Sequence, residues 1–295
     1  MRDRGPTRAV LPSPAQGENA PEPIVARRVD GWGWTKEKGG TPKRQREVAT
    51  RFGVIPFQKS AVFLDLDGTI APFETTPCAV RPSPARTALL RRAVEALGGR
   101  LAVISGRPLH DIDTILEGAV VAVAAVHGLN RRNAAGEIFC SAGNSILDGV
   151  RSVLTRFASD HPGVLLEDKG PSIALHFRHA PQSRQEIHAC MTRLAASSGL
   201  WLLEGVLVLE LRAPGPNKGE ALRAFMREVP FTGAMPIFVG DDETDEDGFA
   251  AAAALGGYGI LVGRERPTRA LRRLESTGQV LAWLAGGISA RSIQS

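Results

Sequence analysis

Cysteine is scarce in this chain of 295 residues, and what there is has no pattern. Cys78, Cys140 and Cys190 are an odd set without CxxC spacing, so neither a disulfide framework nor a zinc site is supported, and a reduced, cytoplasmic protein is expected. Long apolar runs are missing too. No uninterrupted stretch approaches the ~18 residues of a membrane span, and the opening residues MRDRGPTRAVLPSPAQ hold no apolar core of a secretory signal. A charge excess is absent from most of the molecule. The formal charge of +5 lies in residues 1–51, with 11 Lys/Arg against 6 Asp/Glu, whereas residues 52–295 hold 25 of each. A basic folded surface is therefore not expected, and neither nucleic acid nor membrane is expected as a partner. Oligomeric state is left open.

What is present is the composition of a globular chain, with 43% apolar and 23% charged residues, enough to bury one or two sizeable cores. The 32 glycines and 20 prolines are scattered among many short loops. A wholly disordered or collagen-like chain is excluded. Residues 1–57 stand apart: they are rich in Pro, Gly and charge, carry the GWGW of residues 31–34, and read as a basic, disordered arm.

Beyond the arm, apolar strands alternate with amphipathic helices, the signature of an α/β fold with a parallel sheet covered on both faces. Strands are expected at residues 61–65, 100–105, 119–126, 236–240 and 258–262. Leu89, Leu90, Ala93, Val94 and Leu97 recur at helical spacing before Gly98 and Gly99, which completes a first βα unit. Between residues 131 and 213 the texture changes. Short strands at 137–140, 164–168, 172–178, 200–203 and 206–212 surround helices at 144–159 and 182–198, the first with a stripe of Ile146, Leu147, Val150, Leu154 and Phe157. This reads as an α+β cap inserted into a body of residues 58–130 and 214–286, with 287–295 as a tail.

In an open α/β sheet, ligands bind beyond the carboxyl ends of the strands. Asp65 and Asp67 follow the first strand, Ser105 and Arg107 the second, and Asp241, Asp242 and Asp245 a later one, while Lys218 opens the helix after the insertion. Two carboxylates two residues apart, before the turn at Gly68, can divide labour: one attacks phosphorus and the other protonates the departing oxygen. Taken alone, such a triplet is equally a solvated Asx turn. The other groups complete the chemistry. A carboxylate approaching a phosphate dianion needs nearby cations. Asp241 can join Asp65 in holding Mg²⁺, a hard ion served by few carboxylates, phosphate oxygen and water. Lys218 adds positive charge, the Ser105 hydroxyl can donate to phosphate, and Asp242 and Asp245 can orient metal-bound water and Lys218.

In order and spacing, DLDGT at 65–69, SGR at 105–107, the Lys of NKG at 217–219 and GDDETDED at 240–247 resemble the four motifs of the haloacid dehalogenase-like phosphotransferases. The resemblance implies a Rossmann-like core, Mg²⁺ as cofactor and an aspartyl-phosphate on Asp65, with Asp67 as acid and base. It implies Ser105 and Lys218 on phosphate, Asp241 and the Asp67 main-chain carbonyl on metal, and Arg107 among the substrate-binding residues. Three longer segments, LLEDKGPSIALHFR (165–178), LVLELRAPGPNKGEAL (207–222) and GDDETDEDGF (240–249), are similar to the trehalose-6-phosphate phosphatase family, and the likeness spans residues 60–284. From it follow a sugar-phosphate substrate, hydrolysed to trehalose and phosphate, and contacts from Glu167, Lys169 and Glu210 to the distal sugar. Read from the residues alone, Glu167 and Lys169 could instead face solvent on an exposed strand. His127, His176 and His179 form no metal-ligand set. Other readings are a different sugar phosphatase or phosphomutase on the same core, and a sugar-phosphate sensor without catalysis.

Overall fold

Apolar segments without alternation belong in a sheet buried on both faces, and the computed structural model places them there. It describes residues 58–74, 79–140 and 144–292; the expected arm and Cys78 lie outside the described residues. In chain order the body begins with β1 (Ser60–Leu64), α1 (Pro84–Ala96), β2 (Leu101–Ile104), α2 (Leu109–Leu116), β3 (Val123–Ala125), β4 (Asn130–Arg132) and β5 (Ile138–Cys140). There follow α3 (Asn144–Asp160), β6 (Leu165–Asp168), β7 (Ser172–His176), α4 (Arg184–Ser198), β8 (Trp201–Gly205) and β9 (Val208–Arg212). The chain then returns to the body through α5 (Lys218–Met226), β10 (Met235–Gly240), α6 (Glu246–Ala254), β11 (Tyr258–Val262), β12 (Arg272–Leu274) and α7 (Thr277–Ser292).

The body sheet has the order β12-β11-β10-β1-β2-β3-β4-β5. β12 through β3 run parallel, and β4 and β5 extend the edge antiparallel. Successive side chains of β1 point to opposite faces. Val62 and Leu64 join Val103, Val239 and Ile260 under α1, α2 and α7, while Ala61 and Phe63 join Phe238, Phe225 and Phe249 under α5 and α6. Chain leaving β1 enters α1 on one face and chain leaving β10 enters α6 on the other, so a crevice opens at the carboxyl ends of these neighbouring strands.

A second sheet, β6-β7-β9-β8, is antiparallel throughout. One face packs Ile173, Leu175, Leu209 and Leu211 against Leu147, Val150 and Leu154 of α3 and Ile187 and Met191 of α4. The opposite face is polar. In register across it lie Glu167, Ala174 and Glu210 on β6, β7 and β9.

Three expectations are corrected. The strand expected at 137–140 forms as β5, but it pairs with β4 and so with the body sheet; we place the start of the cap after it. Of the strand expected over 119–126 only residues 123–125 form, where the ladder to β2 begins at Val103 and Val123. The expected tail from 287 is helical through Ser292 in α7. Among the described residues, no helix is long and apolar enough to cross a membrane.

Candidate active site

The crevice between β1 and β10 brings distant carboxylates together. The Asp65 N–H donates to the Val239 carbonyl at 2.9 Å, which continues the strand register one residue past β1. Asp65, Asp241 and Asp245 each present a carboxylate oxygen, and these oxygens lie within 4.8 Å of one another. The turn after Asp65 is shaped by Gly68, with φ +80° and its N–H on the Ala71 carbonyl at 2.8 Å. A Cβ on Gly68 would come 2.1 Å from Asp241 Oδ2, so a side chain there would expel that carboxylate. Thr69 Oγ1 donates to Asp241 Oδ1 at 3.2 Å, a contact the sequence reading missed although the threonine ends the DLDGT motif.

Lys218 enters from the first turn of α5. Asn217 caps this helix reciprocally: its side chain accepts from Glu220 N–H at 2.9 Å while the Glu220 carboxylate accepts from Asn217 N–H at 3.0 Å. The ammonium, 2% exposed as a residue, donates to Asp65 Oδ1 at 2.9 Å and to Asp245 Oδ1 at 2.7 Å. Burial alone would lower its pKa, but Asp245 and Asp65 hold it well above the ordinary lysine value. Asp65 behaves oppositely. Burial lifts its carboxyl from 3.8 to about 6 against the pull of Lys218, with Asp242 and Asp67 adding repulsion. Burial, together with Asp65, Asp242 and Asp245, also raises Asp241 well above the usual carboxylate range.

This donor set suits a divalent cation. Hard carboxylate oxygens crowd one volume with a single ammonium between them, and the remaining repulsion is what Mg²⁺ relieves. Asp65 and Asp241 have oxygens to give it. Asp245 does not: Oδ1 accepts from Lys218, and Oδ2 accepts the N–H groups of Asp241 and Asp242 at 2.9 and 3.0 Å. It holds the backbone that presents Asp241. Asp242, expected beside it, spends Oδ1 on the N–H and hydroxyl of Thr244 at 2.9 and 2.7 Å, so the hydrogen bonds to Lys218 come from Asp65 and Asp245.

Arg107 and Ser105 complete the near wall. Arg107 grips Asp67 bidentately, Nε to Oδ2 at 2.6 Å and a terminal nitrogen to Oδ1 at 2.8 Å. Ser105 is buried, and its hydroxyl accepts from the Arg107 N–H at 3.2 Å. In the cap, Lys169 Nζ donates to Glu210 Oε2 at 2.7 Å and lies 4.0 Å from Glu167 Oε2, while His176 Nε2 meets the same Glu167 oxygen at 2.8 Å. On the polar sheet face the Glu167 and Lys169 side chains are half-buried and engaged with His176 and Glu210. Glu210 is 7% exposed, and its Oε1 makes no hydrogen bond of good geometry, although the Ser172 hydroxyl lies near enough to lower its pKa. Burial would raise its pKa, yet Lys169, with help from His127, draws it down to about 2.

The trehalose-phosphatase family model matches residues 63–277. The chain belongs to the trehalose-phosphatase family. It is 37% identical over 231 residues to the trehalose-6-phosphate phosphatase of Escherichia coli K12, a span covering 77% of this chain and 85% of that one. It is 36% identical over 209 residues to a probable trehalose-phosphate phosphatase of Sinorhizobium fredii, covering 70% and 79%. The fold is shared with a solved trehalose-6-phosphate phosphatase C-terminal domain of C. albicans, TM-score 0.70 at 22% identity, over 83% of this chain and 96% of that one. Family membership and the buried aspartate cluster together make the chain a phosphatase of the haloacid dehalogenase type with a divalent-metal site.

Proposed function

We propose that the chain hydrolyses trehalose 6-phosphate to trehalose and inorganic phosphate. The observation that carries the substrate is the cap: Glu167, Lys169 and Glu210 are turned inward on one sheet face, and Glu210 keeps a buried oxygen unpaired. A buried carboxylate oxygen without a donor is costly until a hydroxyl meets it, and the same penalty rejects a substrate lacking that hydroxyl. The relatives' names point to the same sugar.

The chemistry runs in two in-line steps. An Asp65 oxygen attacks phosphorus while the bond from phosphorus to the sugar's 6-oxygen breaks, and Asp67 delivers a proton to that oxygen. Asp67, now a carboxylate, takes a proton from water as the water oxygen attacks the aspartyl-phosphate, which frees phosphate and restores Asp65. Ser105 and Lys218 hold the phosphoryl oxygens, and Asp245 holds Lys218. Arg107 leaves Asp67 for the incoming substrate and so releases the acid when it is needed. Asp65, Asp241 and the Asp67 carbonyl would hold Mg²⁺, which when bound neutralises charge around the phosphoryl group. With Cys140 and Cys190 as free thiols, a reducing cytoplasmic setting fits this reading.

Phosphate release from a panel of 6-phosphorylated mono- and disaccharides, with Mg²⁺ present, tests the substrate. Trehalose 6-phosphate should give the highest kcat/KM. A monosaccharide phosphate turned over faster would overturn the assignment while leaving the phosphatase intact.

A further inference from the structure

His127 takes no part in the steps above, yet the chain is strained to put it where it is. β3 ends at Ala125, and the next two residues, Val126 and His127, both lie in the left-handed region, with φ of 47° and 57°. A β-branched valine is especially rare there, and such backbone strain clusters at functional sites. The turn is tied to the phosphate loop: Val126 N–H donates to the Arg107 carbonyl at 3.0 Å, and His127 N–H to the Ser105 carbonyl at 2.9 Å. The imidazole lies against Gly106, where a Cβ would come 2.6 Å from Nε2. Glycine in the SGR motif leaves room for the ring.

The ring also answers to the cap. Burial, joined by the charges of Lys218, Lys169 and Arg212 and opposed by Glu210, pushes the imidazole down to about 3. At neutral pH it is uncharged and offers one N–H and one lone pair. Its Nδ1 is buried without a partner, as is Oε1 of Glu210, and the two residues act on each other electrostatically. Buried, unpartnered polar atoms on a body residue and a cap residue that feel each other's charge call for a ligand that serves both. An alcohol does: it donates to the carboxylate and exchanges a hydrogen bond with neutral imidazole. A phosphate dianion has no proton for the carboxylate.

We propose that His127 is a sugar-positioning residue, its ring hydrogen-bonding a substrate hydroxyl between the phosphate loop and Glu210. This rests on the sugar-phosphate reading above.

The test compares trehalose 6-phosphate with p-nitrophenyl phosphate in the Mg²⁺-loaded enzyme and in His127→Phe and His127→Asn. For His127→Phe, kcat/KM on the sugar substrate should fall about 50-fold, mostly through KM, at least tenfold more than on the aryl ester. His127→Asn, which keeps a polar group, should recover part of the loss. Equal proportional losses on both substrates would overturn the proposal. Because phenylalanine can disturb the strained turn, the unsubstituted enzyme supplies a second readout: its His127 ring ¹⁵N resonances, identified by their absence in His127→Asn, should move on saturation with trehalose. No movement would overturn the proposal too. If the wild-type enzyme fails on trehalose 6-phosphate, the substrate reading falls instead, and both measurements are read with the fastest sugar phosphate of the panel and its dephosphorylated sugar.

Discussion

Two lysines, each set between two carboxylates, are both held above the ordinary lysine value, but their carboxylate partners shift in opposite directions. At the carboxyl edge of the body sheet, Lys218 lies between Asp65 and Asp245, and Asp65 is lifted to about 6. On the cap sheet, Lys169 lies between Glu210 and Glu167; Glu210 is drawn down to about 2 and Glu167 is also lowered. Burial raises every one of these carboxyls, so the difference lies in the local count of charges. The body crowds Asp65, Asp241 and Asp245 around one ammonium, while the Arg107 guanidinium is committed to Asp67. The cap balances two carboxylates with Lys169 and a hydrogen bond from His176. The body is short of positive charge and made for a metal and a phosphoryl group, whereas the cap, with two carboxylates to one ammonium, is less crowded and suited to hydroxyls.

Breaking the body half should stop every substrate. Asp65→Asn should cut phosphate release from trehalose 6-phosphate and p-nitrophenyl phosphate alike, on the order of 10⁴-fold or more. It removes a crowded charge while Lys218 keeps Asp245, so its Tm should match or exceed wild type. Turnover within tenfold of wild type would exclude Asp65 as nucleophile. Breaking the cap half should discriminate between substrates. Glu210→Gln should lower kcat/KM for trehalose 6-phosphate about 100-fold, since an amide can no longer accept from hydroxyls at both positions. The loss on the aryl ester should stay at least tenfold smaller, and a common loss would remove Glu210 from sugar recognition.

The body half was the more legible in sequence, for a physical reason. Strands buried on both faces write continuous apolar runs such as VFL at 62–64, and groups placed at their ends must share a crevice. The cap strands and both cap helices were also readable from their alternation and stripes. Which sheet a short edge strand joins was not: β5, an exposed IFC, has no pattern that chooses between body and cap. β12, three residues of RRL, is too short to have a period. The division of tasks among Asp241, Asp242 and Asp245 depends on a tight turn whose N–H groups all need acceptors, and spacing alone does not say which carboxylate supplies them. The part proposed for His127, weighed in the sequence only as a metal ligand, was illegible for a related reason: what marks it is its fit over Gly106 and its coupling to Glu210, 83 positions away in sequence.

The charge shortage itself can be measured. Asp65 binds its proton more tightly in the folded chain, at about 6, than at its ordinary 3.8. Between those values Asp65 holds more of its proton in the folded state than in the unfolded one, so without metal its contribution to stability should rise as pH falls from 7 through about 6 towards 4. Mg²⁺ offers the same relief by another route and must compete with the protons. At pH 7.5 and a hundredfold excess over its Kd, it should stabilise the fold by about 2.7 kcal/mol, which for a domain of this size raises Tm by about 5–10 °C. At pH 5, with Asp65 largely protonated, the shift should be less than half as large. The cap serves as a reference for the Mg²⁺ comparison, because folded Glu210, near 2, stays charged at both pH values, and its stabilising contribution is lost only as pH falls through the ordinary 4.5 towards 2. Melting curves with Mg²⁺ and with EDTA at the two pH values decide the point. An equal Mg²⁺ shift at both would mean that the body carboxylates carry no excess charge for the metal to offset, and the contrast between the two lysine clusters would not hold.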